Sequence, residues 1–193
     1  MRAEALTLGH ELLGCARGAI ADALGVTADP GAVDSRAMTE RGASFVTLMQ
    51  DDRLRGCIGT LEAHRSLGAD VRANAVAAAL RDPRFAPMRA GELRHTVIEV
   101  SVLGPARSVA PCDEAELLAM LRPHEDGLIL AWRGRRATFL PQVWGSLPSP
   151  VDFLRELKLK AGLAADFWAA DMRVATYRVD KWSERDAALA RSR

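Results

Sequence analysis

Two pairs of short apolar runs, each joined by a polar turn, constrain this chain more than any other feature. Residues 43–49 and 54–61 flank Gln50-Asp51-Asp52-Arg53, and residues 128–132 and 137–140 flank Arg133-Gly134-Arg135-Arg136. Runs of this length around such turns predict β-hairpins. A hairpin joins antiparallel neighbours, whereas parallel strands need a crossover of a dozen or more residues. The two hairpins therefore argue against a doubly wound parallel sheet, although helical segments are interleaved with the strands. The expected class is α+β, with a mainly antiparallel sheet flanked by helices.

The helical segments follow from apolar spacing. Over residues 8–24, Leu8, Leu12, Cys15 and Ala19 share one face, which Leu13, Ala16, Ile20 and Leu24 widen. Thr7 is the expected N-cap and Gly25 the residue after the helix end. Residues 27–42 mix Pro, Gly, Asp and Ser and read as a loop. A second helix is expected over 67–81, with Ser66 as its cap, Asp70 in its first turn and Pro83 as its stop. Residues 97–103 alternate, with Ile98, Val100 and Val102 on one face and Glu99 and Ser101 on the other. That pattern predicts a half-buried strand whose polar face needs water or partners. Asp113 and Glu116 have capping-box spacing and predict a short helix. Ser149-Pro150 opens another, with Phe153, Leu154, Leu157 and Ala161 as its stripe and Gly162 as its end. Phe167 and Trp168 are expected in a short helical turn, and residues 172–179 in a last strand. The polar tail after Ser183 is expected to fray.

The 193 residues suit one domain, or one domain with a small lobe. Hydrophobic residues at 49% and charged residues at 26% are globular usage and exclude a disordered chain. The longest apolar run is the six residues 75–80, where a membrane helix needs about 20. Arg2, Glu4, His10 and Glu11 interrupt the N-terminus, so no signal peptide is read there. Three scattered cysteines fit a reducing compartment, and the expected location is cytoplasmic. Of the 26 basic residues only Lys158, Lys160 and Lys181 are lysine, but 25 acidic residues leave a net charge of +1. That balance predicts no general attraction to nucleic acid or acidic membranes, and the Arg133–136 tip reads as a solvated turn.

One strand has chemical promise. In Leu54-Arg55-Gly56-Cys57-Ile58-Gly59-Thr60, two glycines bracket a cysteine. Glycine weakens a strand interior and usually marks a bulge or a close approach of ligand or backbone. Strand parity puts Arg55, Cys57 and Gly59 on one face, and an arginine beside a thiol favours the thiolate. The expected pairing sets Met49 against Leu54 and Val46 against Cys57. The missing side chains at Gly56 and Gly59 would let a substrate reach the sulfur. His64 and His95 are weaker candidates for a base, and Glu99 is the better companion, expected to pair with Arg55 or Arg84. Cys15 reads as a core residue. No metal-ligand spacing and no Gly-rich phosphate loop is present, so neither a metal nor a cofactor is expected.

The string from Leu54 to Gly59, followed by Asp82-Pro83-Arg84-Phe85 and Glu99-Val100-Ser101-Val102-Leu103, resembles the AMMECR domain family, known in prokaryotes as protein A of the AmmeMemoRadiSam system. Thr138-Phe139-Leu140-Pro141-Gln142-Val143-Trp144 and Lys160-Ala161-Gly162-Leu163 extend the resemblance, which runs over about 6–182 and leaves 183–193 as a tail. It implies a single AMMECR-type domain of two unequal lobes, with a cleft near the cysteine motif. It also implies partners: a Memo-like protein and a radical S-adenosylmethionine (SAM) enzyme. It implies no particular reaction. The expected function is a Cys57 thiol-dependent enzyme or enzyme subunit in a modification pathway. Arg55 is then the anion partner, and Glu99 or His64 the acid–base group. Gly56, Ile58, Gly59, Arg84 and Ser101 are the expected binding residues. The alternative is a non-catalytic scaffold module for the same partners. The oligomeric state stays open.

Overall fold

The computed structural model describes residues 2–27 and 35–186, with side chains from Leu6 onward. Residues 28–34 of the expected 27–42 loop and the expected frayed tail from residue 187 on lie outside these residues; the rest of that loop is partly regular, forming a short helix at 36–39 and a two-residue strand at 41–42. In chain order the elements are α1 (Arg2–Leu24), α2 (Arg36–Thr39), β1 (Arg41–Gly42), β2 (Ser44–Gln50), β3 (Arg53–Gly59), β4 (Arg65–Ser66), α3 (Leu67–Leu80), a 3-10 helix (Ala90–His95) and β5 (Val97–Leu103). There follow β6 (Arg107–Val109), α4 (Glu114–Met120), β7 (Gly127–Trp132), β8 (Arg135–Phe139), a second 3-10 helix (Pro141–Gly145), α5 (Pro150–Lys160), β9 (Arg173–Tyr177) and β10 (Val179–Ser183). The chain is α+β and divides into two unequal units. The larger comprises Met1–Leu103 and Asp180–Arg193, and the smaller Gly104–Val179. Each has a four-stranded sheet, in the order β10-β5-β2-β3 in the larger and β6-β9-β7-β8 in the smaller.

Both hairpins form: the first turns on Asp51 and Asp52, as the expected pairing of Met49 with Leu54 implies, and the second is tighter than expected. Asp51 and Asp52 take φ of 47° and 62°, and Arg133 and Gly134 take 43° and 82°. Two successive left-handed residues are what a two-residue type I′ turn requires, and its twist matches that of the flanking strands. Arg135 and Arg136 therefore belong to β8 and not to the turn. Helix α1 starts at Arg2, so Thr7 lies inside it and does not cap it. Arg2, Ala3, Glu4, Ala5 and Leu6 are good helix formers and carry the helix backwards past the expected cap. Its far end is as expected: Gly25 sits at φ 68°, and the Val26 N–H closes onto the Ala21 carbonyl at 2.9 Å.

In the larger unit, Leu12, Ala16 and Ile20 of α1 and Val71, Ala75 and Ala78 of α3 pack against Val46, Leu48, Ile98 and Val100 of the sheet. Asp70 lies in the first turn of α3, as expected. It is only 1% exposed, and its Oδ2 accepts from the Ser44 N–H, the Ser44 and Thr60 hydroxyls and Asn74 Nδ2, while Oδ1 accepts from Arg65. Ser66 caps α3 as expected, accepting the Ala69 N–H.

In the smaller unit, Trp144 stacks on Phe153 at 3.7 Å and donates its indole N–H to the Asp126 carbonyl. The expected α5 stripe is buried, and Lys158 is buried with it, held by Glu114 at 2.7 Å and the Ala165 carbonyl at 3.0 Å. Phe167 and Trp168 form no helix; the Phe167 N–H closes a turn on Ala164. The expected strand over 172–179 is β9, which ends at Tyr177; Arg178, whose carbonyl accepts the Gly104 N–H at 2.8 Å, separates it from a further strand, β10, that begins at Val179.

Candidate functional site around Cys57

The register of β3 on β2 decides what faces Cys57. Leu48 pairs with Gly56, but the next partner pair is Met49 and Leu54, so Arg55 is an extra residue in a β-bulge. Met49 faces Leu54 as expected. Beyond the bulge the pairing is displaced by one: Cys57 faces Thr47, and Ile58 faces Val46, where Val46 was expected opposite Cys57. A shift of one residue exchanges the two sheet faces. Thr47 and Phe45 pair in turn with Glu99 and Ser101 of β5. Cys57, Thr47 and Glu99 thus form one row across three strands, with Gly59, Phe45 and Ser101 as the next row on that face. At a strand spacing of about 4.8 Å, Cys57 and Glu99 stand roughly 10 Å apart.

The Cys57 thiol is half-buried, with its sulfur 3.3 Å from the Thr47 hydroxyl. Its backbone is held by Asp82, which follows α3. Asp82 Oδ2 accepts the Cys57 N–H at 2.8 Å and Arg84 Nη2 at 2.7 Å, while Oδ1 accepts the Arg84 backbone N–H and Nε. The Arg84 guanidinium also donates to the Cys57 carbonyl at 3.1 Å. Arg84 holds the buried Asp82 carboxyl well below the usual carboxylate range, and the two backbone N–H groups add to this. Arg84 itself is shifted upward, first by Asp82 and more weakly by Cys57.

Arg55 points elsewhere. Its Nε donates to Glu92 at 3.0 Å and its Nη2 to the Ala86 carbonyl at 3.0 Å, tying the bulge to the chain around the first 3-10 helix. Arg84 therefore stands at Cys57 where Arg55 was expected, because the bulge takes Arg55 out of the strand's alternation. The Arg55 and Arg84 guanidiniums lie 5.9 and 5.5 Å from the centre of the Phe85 ring. Glu99 pairs with neither arginine. It meets Lys181 of β10 at 2.7 Å, a partner hidden from sequence reading along with its strand. His64 is 71% exposed beside Glu62, and His95 accepts from Arg94, so neither meets the thiol.

The glycines around Cys57 turn out to be filled by protein. A Cβ on Gly56 would stand 2.2 Å from the Ala78 carbonyl oxygen, and one on Gly59 would stand 2.2 Å from the Phe45 ring. They admit α3 and Phe45, not the substrate path that was expected. Gly56→Ala must push the α3 backbone off β3 and is expected to cost about 1–3 kcal/mol. Urea unfolding measures this, and an unchanged midpoint would mean that α3 moves without cost.

The other two cysteines differ from Cys57. Cys15 is buried against Gly68, as expected of a core thiol, and burial pushes its pKa up. Cys112 is exposed, and the Glu116 carboxylate, aided by Asp113, pushes its thiol up as well. Among the described residues no group of His, Cys, Asp and Glu is placed to hold a metal ion. No helix there is long and apolar enough to cross a membrane.

The fold and this row define a class: α+β chains whose antiparallel sheet presents a glycine-flanked cysteine, with its backbone clamped by an Asp–Arg pair. The chain belongs to the AMMECR1 family, which matches residues 13–182. A protein of Thermotoga maritima is 37% identical over 144 residues, 74% of this chain and 78% of that protein. Protein MJ0810 of Methanocaldococcus jannaschii is 37% identical over 135 residues, 68% and 67% of the two chains. The crystal structure of uncharacterized protein PH0010 from Pyrococcus horikoshii superposes with a TM-score of 0.74, at 31% identity and 88% coverage of both chains.

Proposed function

We propose that this protein acts through Cys57 as a nucleophile, as an enzyme or enzyme subunit in a modification pathway. The observation that supports this reading is the setting of the sulfur: the Thr47 hydroxyl at 3.3 Å, and a guanidinium anchored by Asp82 on the same residue's carbonyl. The thiolate is the reactive form of cysteine, and a fixed guanidinium stabilises negative charge that develops beside it. In acyl transfer, the sulfur–carbon bond forms as the leaving group departs with its bonding pair and the thiol proton. Glu99 is the acid–base candidate at the far end of the row, and Arg84 belongs to the binding surface, whereas Ser101, expected there too, is buried. The family resemblance supplies the proposed partners, a Memo-like protein and a radical SAM enzyme, and the three scattered cysteines support a cytoplasmic setting.

A second reading, a scaffold module for those partners, is favoured by one observation. Among the described residues, no histidine or carboxylate side chain hydrogen-bonds to the Cys57 sulfur. Alkylation across pH, mapped by mass spectrometry, separates the two readings, with Cys15 and Cys112 as internal references. Cys57 is expected to react first near neutral pH, since carboxylates hold back Cys112 and burial shields Cys15. Cys57→Ser is expected to abolish pathway activity while partners still co-purify. An unreactive Cys57, together with a fully active serine variant, would leave only the scaffold reading.

A further inference from the structure

We propose that the smaller unit carries an anion site of its own, built for a small phosphate monoester and separate from Cys57. A cavity of about 330 Å³ opens beside β6, the end of β9 and helix α4. That volume is at the lower end of the range for small-molecule sites. Three arginines from three segments line it: Arg107 at the start of β6, Arg122 after α4 and Arg178 after β9. Leu117 and Met120 supply an apolar wall.

The charges in this cavity are unbalanced. The one carboxylate in the lining is Asp126, which is buried and turns Oδ2 to the Arg122 backbone N–H at 2.9 Å. Three guanidiniums less one carboxylate leave +2 in the wall. Arg107 has no hydrogen-bond or ion-pair partner among the described residues, nor does the hydroxyl of Thr176, its register neighbour on β9. Glu125 partly offsets the excess, meeting Arg178 at 2.7 Å and approaching Arg122 at 3.9 Å. Arg178 and Glu125 are 60% and 55% exposed, and an ion pair so wetted is worth about 1 kcal/mol or less. A bound anion therefore displaces Glu125 at little cost.

The geometry favours phosphate over carboxylate. A carboxylate is planar and is satisfied by a single forked guanidinium, whereas a phosphate offers three oxygens in three directions to three separate donors. A dianion also matches the wall charge. The apolar wall then takes the organic part of the ester.

Titration calorimetry on the full chain tests this with phenyl phosphate as the probe and inorganic phosphate and benzoate as comparisons. Phenyl phosphate is expected to bind more tightly than either, and more weakly as salt rises. Arg107→Gln and Arg178→Gln are each expected to weaken it by about tenfold or more. Glu125→Gln is expected to tighten it several-fold by removing the competing carboxylate. All three positions are exposed, so unchanged urea midpoints will show that the variants are folded. No binding at millimolar phenyl phosphate, or binding that Arg107→Gln and Glu125→Gln both leave unchanged, would overturn the site. Benzoate binding as tightly as phenyl phosphate would overturn the assignment to phosphate.

Discussion

Asp70→Ala is expected to destabilise the larger unit by about 3–5 kcal/mol, the range for removing one partner from a buried charged network. The carboxylate gathers five donors from four parts of the chain: the Ser44 backbone and hydroxyl on β2, Thr60 after β3, Arg65 on β4 and Asn74 on α3. Alanine removes every acceptor at once. Ser44 is buried and cannot turn to bulk water, so its backbone N–H bears the full desolvation cost, while Asn74 Nδ2 keeps the Ser44 carbonyl at 3.0 Å. Arg65 is nearly half exposed and loses much less. Asp70→Asn keeps one acceptor oxygen but turns an amide donor towards other donors, and should recover only part of the loss. Urea unfolding at neutral pH should show a lower midpoint with an unchanged slope. A loss below about 1 kcal/mol would mean that water replaces the carboxylate, and that the network is not what joins these segments.

Asp82→Asn is expected to act on both stability and the thiol. The carboxylate anchors the Cys57 N–H from inside the fold and fixes Arg84 from its exposed side. Discounting the solvated Arg84 pair, the loss at neutral pH should be about 2–3 kcal/mol. Its pH dependence has a definite sign. The folded protein holds the Asp82 carboxyl below its unfolded value, so on the acid side the unfolded chain binds the extra proton. The stabilisation is therefore complete above the ordinary carboxylate pKa of about 3.9 and declines as pH falls below it. The stability gap between the native chain and Asp82→Asn should be wide at pH 7 and narrower at pH 3. Amide exchange at Cys57 should quicken in the variant, and Cys57 alkylation should slow as Arg84 comes free. Equal gaps at both pH values would show that Asp82 is not an ionised anchor.

Much of the fold was legible because it is written locally. The apolar stripe of α1, the Ser149-Pro150 opening of α5 and the alternation of β5 each repeat at the period of their element, and each lies close to where it was read. The hairpins were legible from their polar turns, although only the backbone shows that Arg133 and Gly134 suffice for the second. Strands β6 and β10 were not legible. They are three and five residues long and largely polar, so neither offers a period to read. The candidate site was legible as a segment but not as a set of contacts. Cys57 and its glycines stand out in the sequence, yet Arg84, Asp82, Thr47 and Lys181 reach the row from other elements. One signal for Asp82 was available: an Asp two residues before Arg84, across a proline, suits the side-chain-to-backbone turn that it forms.

By itself the sequence determined the class, the two hairpins, the family and the glycine-flanked segment around Cys57, because hydrophobic period, turn chemistry and a rare string are properties of neighbouring residues. Tertiary structure alone decided which arginine stands at Cys57, what fills the space over its glycines and which cation meets Glu99. One bulged residue at Arg55 resets the register of everything after it, and a register is an agreement between two strands that neither strand contains.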